Sequence, residues 1–156
     1  MKSVRMLTFA ALALAVAPVL SASQFGVRAG RYNDADENFV GAEVLFDVGA
    51  ININPNIEYS LADDVTAGSA NVDVTYNLAN VAAFTPYVGA GVGLSYLDTS
   101  TAATSTNVVG NLIGGVTFNL STLKPYAQVK YFRVLDKDEN GAEAEDDIAL
   151  TVGLRF

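Results

Sequence analysis

Residues 136–141 read Asp-Lys-Asp-Glu-Asn-Gly, and after five intervening residues comes Asp147. Asp136, Asp138, Asn140 and Asp147 nearly reproduce the calcium-loop spacing D-x-[DN]-x-[DN]-G-x5-E. Oxygen donors at alternate positions and a turn-forming Gly141 are what a hard cation needs. Two departures weigh against it. The twelfth position is Asp rather than the longer bidentate Glu, and the flanks read as strands rather than helices. The same stretch also reads as an acidic loop built on an Asn-Gly turn. Calcium is the one cofactor the spacing suggests. The chain has no His and no Cys, so the usual base for a Ser nucleophile, the thiolate route and the preferred zinc ligands are all missing. Gly89, Gly91 and Gly93 precede no helix and form no phosphate loop. These absences argue against an enzyme.

A second group of chemically capable residues is scattered along the chain: Arg28, Glu43, Glu58, Asp73, Lys130 and Arg155. Each stands in a segment that alternates between polar and apolar residues, on the polar face. The C-terminus is the clearest case: Ile148, Leu150, Val152, Leu154 and Phe156 oppose Ala149, Thr151, Gly153 and Arg155, a period-two strand. Seven further segments follow the same rule, at residues 24–32, 39–48, 51–61, 71–78, 86–97, 108–119 and 125–135. Segments of roughly ten residues suit tilted strands that cross a bilayer. The fold expected is an all-β, eight-stranded antiparallel up-and-down transmembrane barrel.

The connections alternate in length as well. Residues 33–38, 62–70, 98–107 and 136–146 are long and polar, whereas 49–50, 79–85 and 120–124 are shorter. With the N-terminus periplasmic, long connections fall outside and short ones inside, as outer-membrane barrels require. Pro86 and Pro125 open strands, where a missing N–H costs least. Pro55 lies inside the third strand, which implies either a start near Asn56 or a bulge. The apolar set is purely aliphatic and aromatic. Tyr59, Tyr76, Tyr96 and Tyr131 are expected near the outer strand ends, with Phe46, Phe118 and Phe156 near the periplasmic ends, as two interfacial girdles. The polar set is rich in Gly, Asn, Thr and Ser and suits a narrow lumen. At about 3.3 Å per residue, Arg28, Glu43, Glu58 and Lys130 meet near mid-barrel. Charges in so narrow a space must pair or shift their pKa values. They form a structural ion network that fills the barrel; the alternative is an ion-conducting path.

Lys2 and Arg5, the apolar run Met6–Leu20 and Ser21-Ala22-Ser23 form a cleavable signal peptide. Residues 1–23 are therefore expected to be removed on export, leaving one barrel domain over 24–156. Loss of Lys2 and Arg5 takes the formal charge from -8 to -10. So acidic a chain is not a nucleic-acid binder. Acidic residues crowd the connections (Asp34, Asp36, Glu37, Asp63, Asp64, Asp98), giving a solvated, repulsive rim.

Residues 85–96 (TPYVGAGVGLSY), 111–120 (NLIGGVTFNL), 123–131 (LKPYAQVKY) and 148–156 (IALTVGLRF) resemble small outer-membrane proteins of the opacity and surface-antigen type. Those proteins share an eight-stranded barrel related to the OmpA transmembrane domain and OmpX. The resemblance covers nearly the whole of 24–156 and is specific for architecture, weak for activity. It implies a Gram-negative-type outer membrane, a lipid environment, a monomer, and reading of Val152, Leu154 and Phe156 by the barrel-assembly machinery. It implies a non-enzymatic structural or surface-interaction role for four extracellular loops; the alternative is a small porin-like diffusion channel.

Overall fold

The computed structural model describes residues 23–61, 65–79, 81–99, 105–135 and 146–156. The signal-like segment before Ser23 lies outside them. Eight antiparallel strands close into one barrel: β1 (Ser23–Tyr32), β2 (Glu37–Val48), β3 (Ile51–Ser60), β4 (Val65–Asn77), β5 (Phe84–Thr99), β6 (Ser105–Phe118), β7 (Lys124–Val134) and β8 (Asp146–Arg155). Each strand pairs with its chain neighbours, and β8 closes on β1, as the alternation predicts. Phe25 and Phe156 exchange two backbone hydrogen bonds (3.1 and 2.9 Å) that secure the seam. Closure matters because a bilayer offers no partner for an unpaired backbone N–H.

Following the pairing once around from Ser23, through Phe46, Ile53, Val74, Ala90, Leu112, Tyr131 and Ile148, returns to Asn33 on the first strand's continuation, ten residues along. A stagger of ten over eight strands tilts them by roughly 40° from the axis. The rim carrying both barrel ends is the near rim; the other is the far rim.

The faces fall as the period-two pattern requires. Val92, Leu112, Leu150 and Val152 are among the most exposed residues, while Arg28, Glu43, Asn56, Asp73, Lys130 and Thr151 are buried. The apolar side is therefore the outside of the cylinder.

Three expectations need correction. Pro55 produces neither a bulge nor a late start: β3 begins at Ile51, and the β2–β3 register is the same on either side of Pro55. Pairs at Val44 and Leu45 are simply missing there, because proline has no N–H to give β2, while its other edge still pairs with Val72 on β4. Connection length does not alternate as expected either. β4 starts at Val65, β5 runs to Thr99 and β6 starts at Ser105, so β4, β5 and β6 rise past the ends of their neighbours. Only residues 100–104 separate β5 from β6, and the long connection between β7 and β8 is the exception. Finally, Tyr76 belongs to the near rim, where it pairs with Ile51 at the start of β3. β4 descends, so a residue late in that strand lies low. Tyr59 and Tyr96 are exposed toward the far rim, Phe118 and Phe156 at the near rim, while Phe46 is buried.

Candidate functional site

Arg28, Glu43, Glu58, Lys130 and Arg155 converge inside the barrel from five strands. Arg155 Nε donates to Glu43 Oε1 at 2.7 Å. The other oxygen of Glu43 pairs with the Arg28 guanidinium. Arg28 Nη1 reaches Glu58 Oε1 at 3.0 Å, and Lys130 Nζ reaches Glu58 Oε2 at 2.5 Å. The result is a continuous relay Arg155–Glu43–Arg28–Glu58–Lys130 that ties β8 and β7 to β1, β2 and β3 across the lumen. Both ends carry an aromatic platform: Arg155 stacks 4.0 Å from the Tyr126 ring centroid, and Lys130 lies 5.4 Å from that of Tyr32.

Asp73, the sixth expected member, is not in direct ion pairing. Its carboxylate accepts from Asn56 Nδ2 at 2.7 Å and Asn111 Nδ2 at 3.1 Å. Asn71 bridges these amides, giving to Asn56 and accepting from Asn111 at 3.2 Å each. Three Lys or Arg side chains and three carboxyl groups thus share the buried lumen. Gly91 on β5 makes room for Asp73, since a Cβ there would lie 1.9 Å from its Oδ1.

Above the relay the lumen is closed by apolar groups. Phe39, only 1% exposed, packs against Tyr32 with ring centroids 5.0 Å apart, and Phe132 meets Tyr32 edge-on at 6.1 Å. Val109 and Ala149 are fully buried. Below it, toward the near rim, a small polar cavity of about 140 Å³ is lined by Asn52, Thr75, Tyr87, Thr117 and Arg155, among others. Tyr32 O–H adds a further donor to Glu58 at 2.7 Å. Sequence reasoning found the charges but missed the Asn54–Asn56–Asn71–Asn111 ladder and the Phe39 cap. Parity was the available signal, because Phe39 shares its face with Gly41 and Glu43.

Of the calcium-loop residues, Asp136, Asp138 and Asn140 lie outside the described residues. Asp147 is described and already engaged: its carboxylate accepts from the backbone N–H of Asp34 at 2.9 Å and of Ala35 at 3.1 Å. It ties the start of β8 to the β1–β2 turn. Among the described residues no three acidic side chains gather as a metal site. Val152 and Phe156 are exposed on the outer wall and Leu154 is half-buried.

Residues 21–149 match the family described as Surface antigen. The N-terminal β-barrel domain of Pseudomonas aeruginosa OprF superposes with TM-score 0.65 at 13% identity, covering 88% of this chain and 98% of that one. Neisserial surface protein A superposes with TM-score 0.66 at 12% identity, covering 85% and 94%. The outer membrane enzyme PagL gives 0.57 at 11% identity, covering 85% and 98%. At such identities these likenesses concern the fold alone. No curated protein sequence matches.

Proposed function

We propose that this chain, which belongs to the surface antigen family, is a sealed outer-membrane barrel that displays its far rim to the surroundings and neither passes solutes nor catalyses a reaction. The observation that carries this is the filled lumen: a relay of buried ion pairs beneath a Phe39–Tyr32–Phe132 cap leaves the interior no room for a conducting path. A non-enzymatic role is supported by the absence of His and Cys from the whole chain. Sharing a fold with PagL supplies no catalytic residues.

Export through the signal-like residues 1–23 and insertion guided by Val152, Leu154 and Phe156 place the near rim in the periplasm. The far rim then faces outward, and among the described residues the β4–β5–β6 ribbon around Thr66, Asp98 and Ser105 rises furthest. We assign surface contacts to this ribbon together with the long β7–β8 connection. The barrel works as a monomer in lipid, and its acidic outer connections disfavour nucleic acid.

Peptide-tag insertion tests the display. A tag placed between Thr99 and Ser105 should be stained by antibody on intact cells, and one placed at Gly49–Ala50 only after permeabilisation. Staining in the opposite pattern would contradict the orientation, and staining of neither in lysed cells would contradict assembly of the barrel.

A further inference from the structure

The outer wall is not uniformly smooth. Across β6, β7, β8 and β1 runs an open apolar groove of about 560 Å³. One row of outward residues crosses it as Val116–Ala127–Val152–Ala29, and the row above as Gly114–Val129–Leu150–Arg31. Ala29, Ala127 and Gly114 leave the depression; a Cβ on Gly114 would meet nothing within 4 Å. Val152 and Leu150, successive outward residues of β8, rise between these small residues and are highly exposed. Arg31 is the one charged residue in the lining.

Arg31 is the last residue but one of β1, and Arg133 holds the same place on β7, at the far rim. On the described strands these are the only Lys or Arg residues of outward parity; Arg28, Lys130 and Arg155 are spent in the lumen, and Lys124 lines the near-rim cavity. Arg31 lines the upper row of the groove, level with Leu150 and Val129, whereas Arg133 stands four residues further along β7; across β8 their backbones are roughly 16 Å apart. Each has an acidic neighbour: Arg31 pairs with exposed Asp36, and Arg133 lies opposite Asp146, which accepts from Tyr131 at 2.7 Å. An exposed pair of that kind yields to a phosphate, whose oxygens take two guanidinium bonds at once.

We infer that this groove seats an acyl chain of a bisphosphorylated, multiply acylated disaccharide of the outer leaflet, with Arg31 and Arg133 holding its phosphates. The chemistry favours that lipid over a glycerophospholipid. Two cations so far apart match two phosphates on a disaccharide, whereas a single phosphodiester reaches one of them. The inference rests on the orientation argued above but not on the display role, and its test leaves the tag experiment untouched.

The test is native mass spectrometry of the protein extracted from membranes and titrated with three probes: bisphosphorylated lipid A, the same lipid stripped of phosphate, and phosphatidylglycerol. Lipid A should bind about tenfold or more tightly than either comparison lipid. Arg31→Gln with Arg133→Gln should abolish that preference. Gly114→Leu, which projects into empty space and spares the lumen, should weaken lipid A binding while the barrel keeps its heat-modifiable gel migration; Ala127→Leu provides a second filling variant. Equal binding of phosphatidylglycerol overturns the assignment to lipid A. Unchanged lipid A binding in both filling variants overturns the groove.

Discussion

Lys130 and Glu58 show how much rests on single side chains. Both are almost completely buried, and each is the other's nearest charge. Replacing Lys130 by Met leaves Glu58 with Arg28 and Tyr32 but strips its shortest contact. Breaking a buried pair from one side costs about 3–5 kcal/mol, so urea unfolding of Lys130→Met in lipid vesicles should shift by that order. Removing both partners, Lys130→Met with Glu58→Leu, should cost less than the two single losses together, since no orphaned carboxylate remains. Glycines divide as sharply. Gly91→Ala drives a methyl into Asp73 and the Val72 carbonyl and should destabilise by about 1–3 kcal/mol, as overpacking does. Gly114→Ala points into open space and should stay within about 0.5 kcal/mol, as surface changes do. The membership of the charge relay was legible in the sequence, because each of its residues alternates with apolar neighbours. Its pairing was not, since partners on β1, β3 and β7 meet only through the ten-residue stagger, a property of the whole cylinder.

At the scale of elements, strand faces were readable and strand ends were not. Residues 65–70, Val-Thr-Ala-Gly-Ser-Ala, read as a loop by composition, yet they pair with β5 up to Val65–Thr99. The long partner strand makes them a strand, and that influence is non-local. Tyr76 was misplaced for a related reason: height depends on which way a strand runs. Pro55 offers a direct test of its missing ladder. Pro55→Val restores one N–H toward β2 without altering the outward face and should stabilise the barrel by about 0.5–1.5 kcal/mol, the net worth of one hydrogen bond, measured by urea titration. Asp147 acts between elements. Asp147→Ala frees the N–H groups of Asp34 and Ala35 and should lower stability by about 1.5–3 kcal/mol, read as a lower melting temperature. Repeating the melt with calcium addresses the fourth connection: stabilisation lost in Asp138→Ala and Asn140→Ala would support a bound cation, and no shift in the parent chain would remove it.

Across the whole molecule, one polar and one apolar face per strand produce a cylinder with an apolar outside and an interior filled to the axis. The polar residues that would line a pore instead tie seven strands together through the relay and the Asn ladder, and aromatic rings close the lumen above them. Every other role assigned to the molecule, whether rim display or lipid capture on the wall, presupposes that closed interior. Single-channel recording of the protein reconstituted in planar bilayers addresses it most directly. The filled lumen predicts no steady open level in either polarity at moderate voltage, with only rare transient events. A stable, ohmic, ion-permeable state would contradict it and favour a diffusion channel.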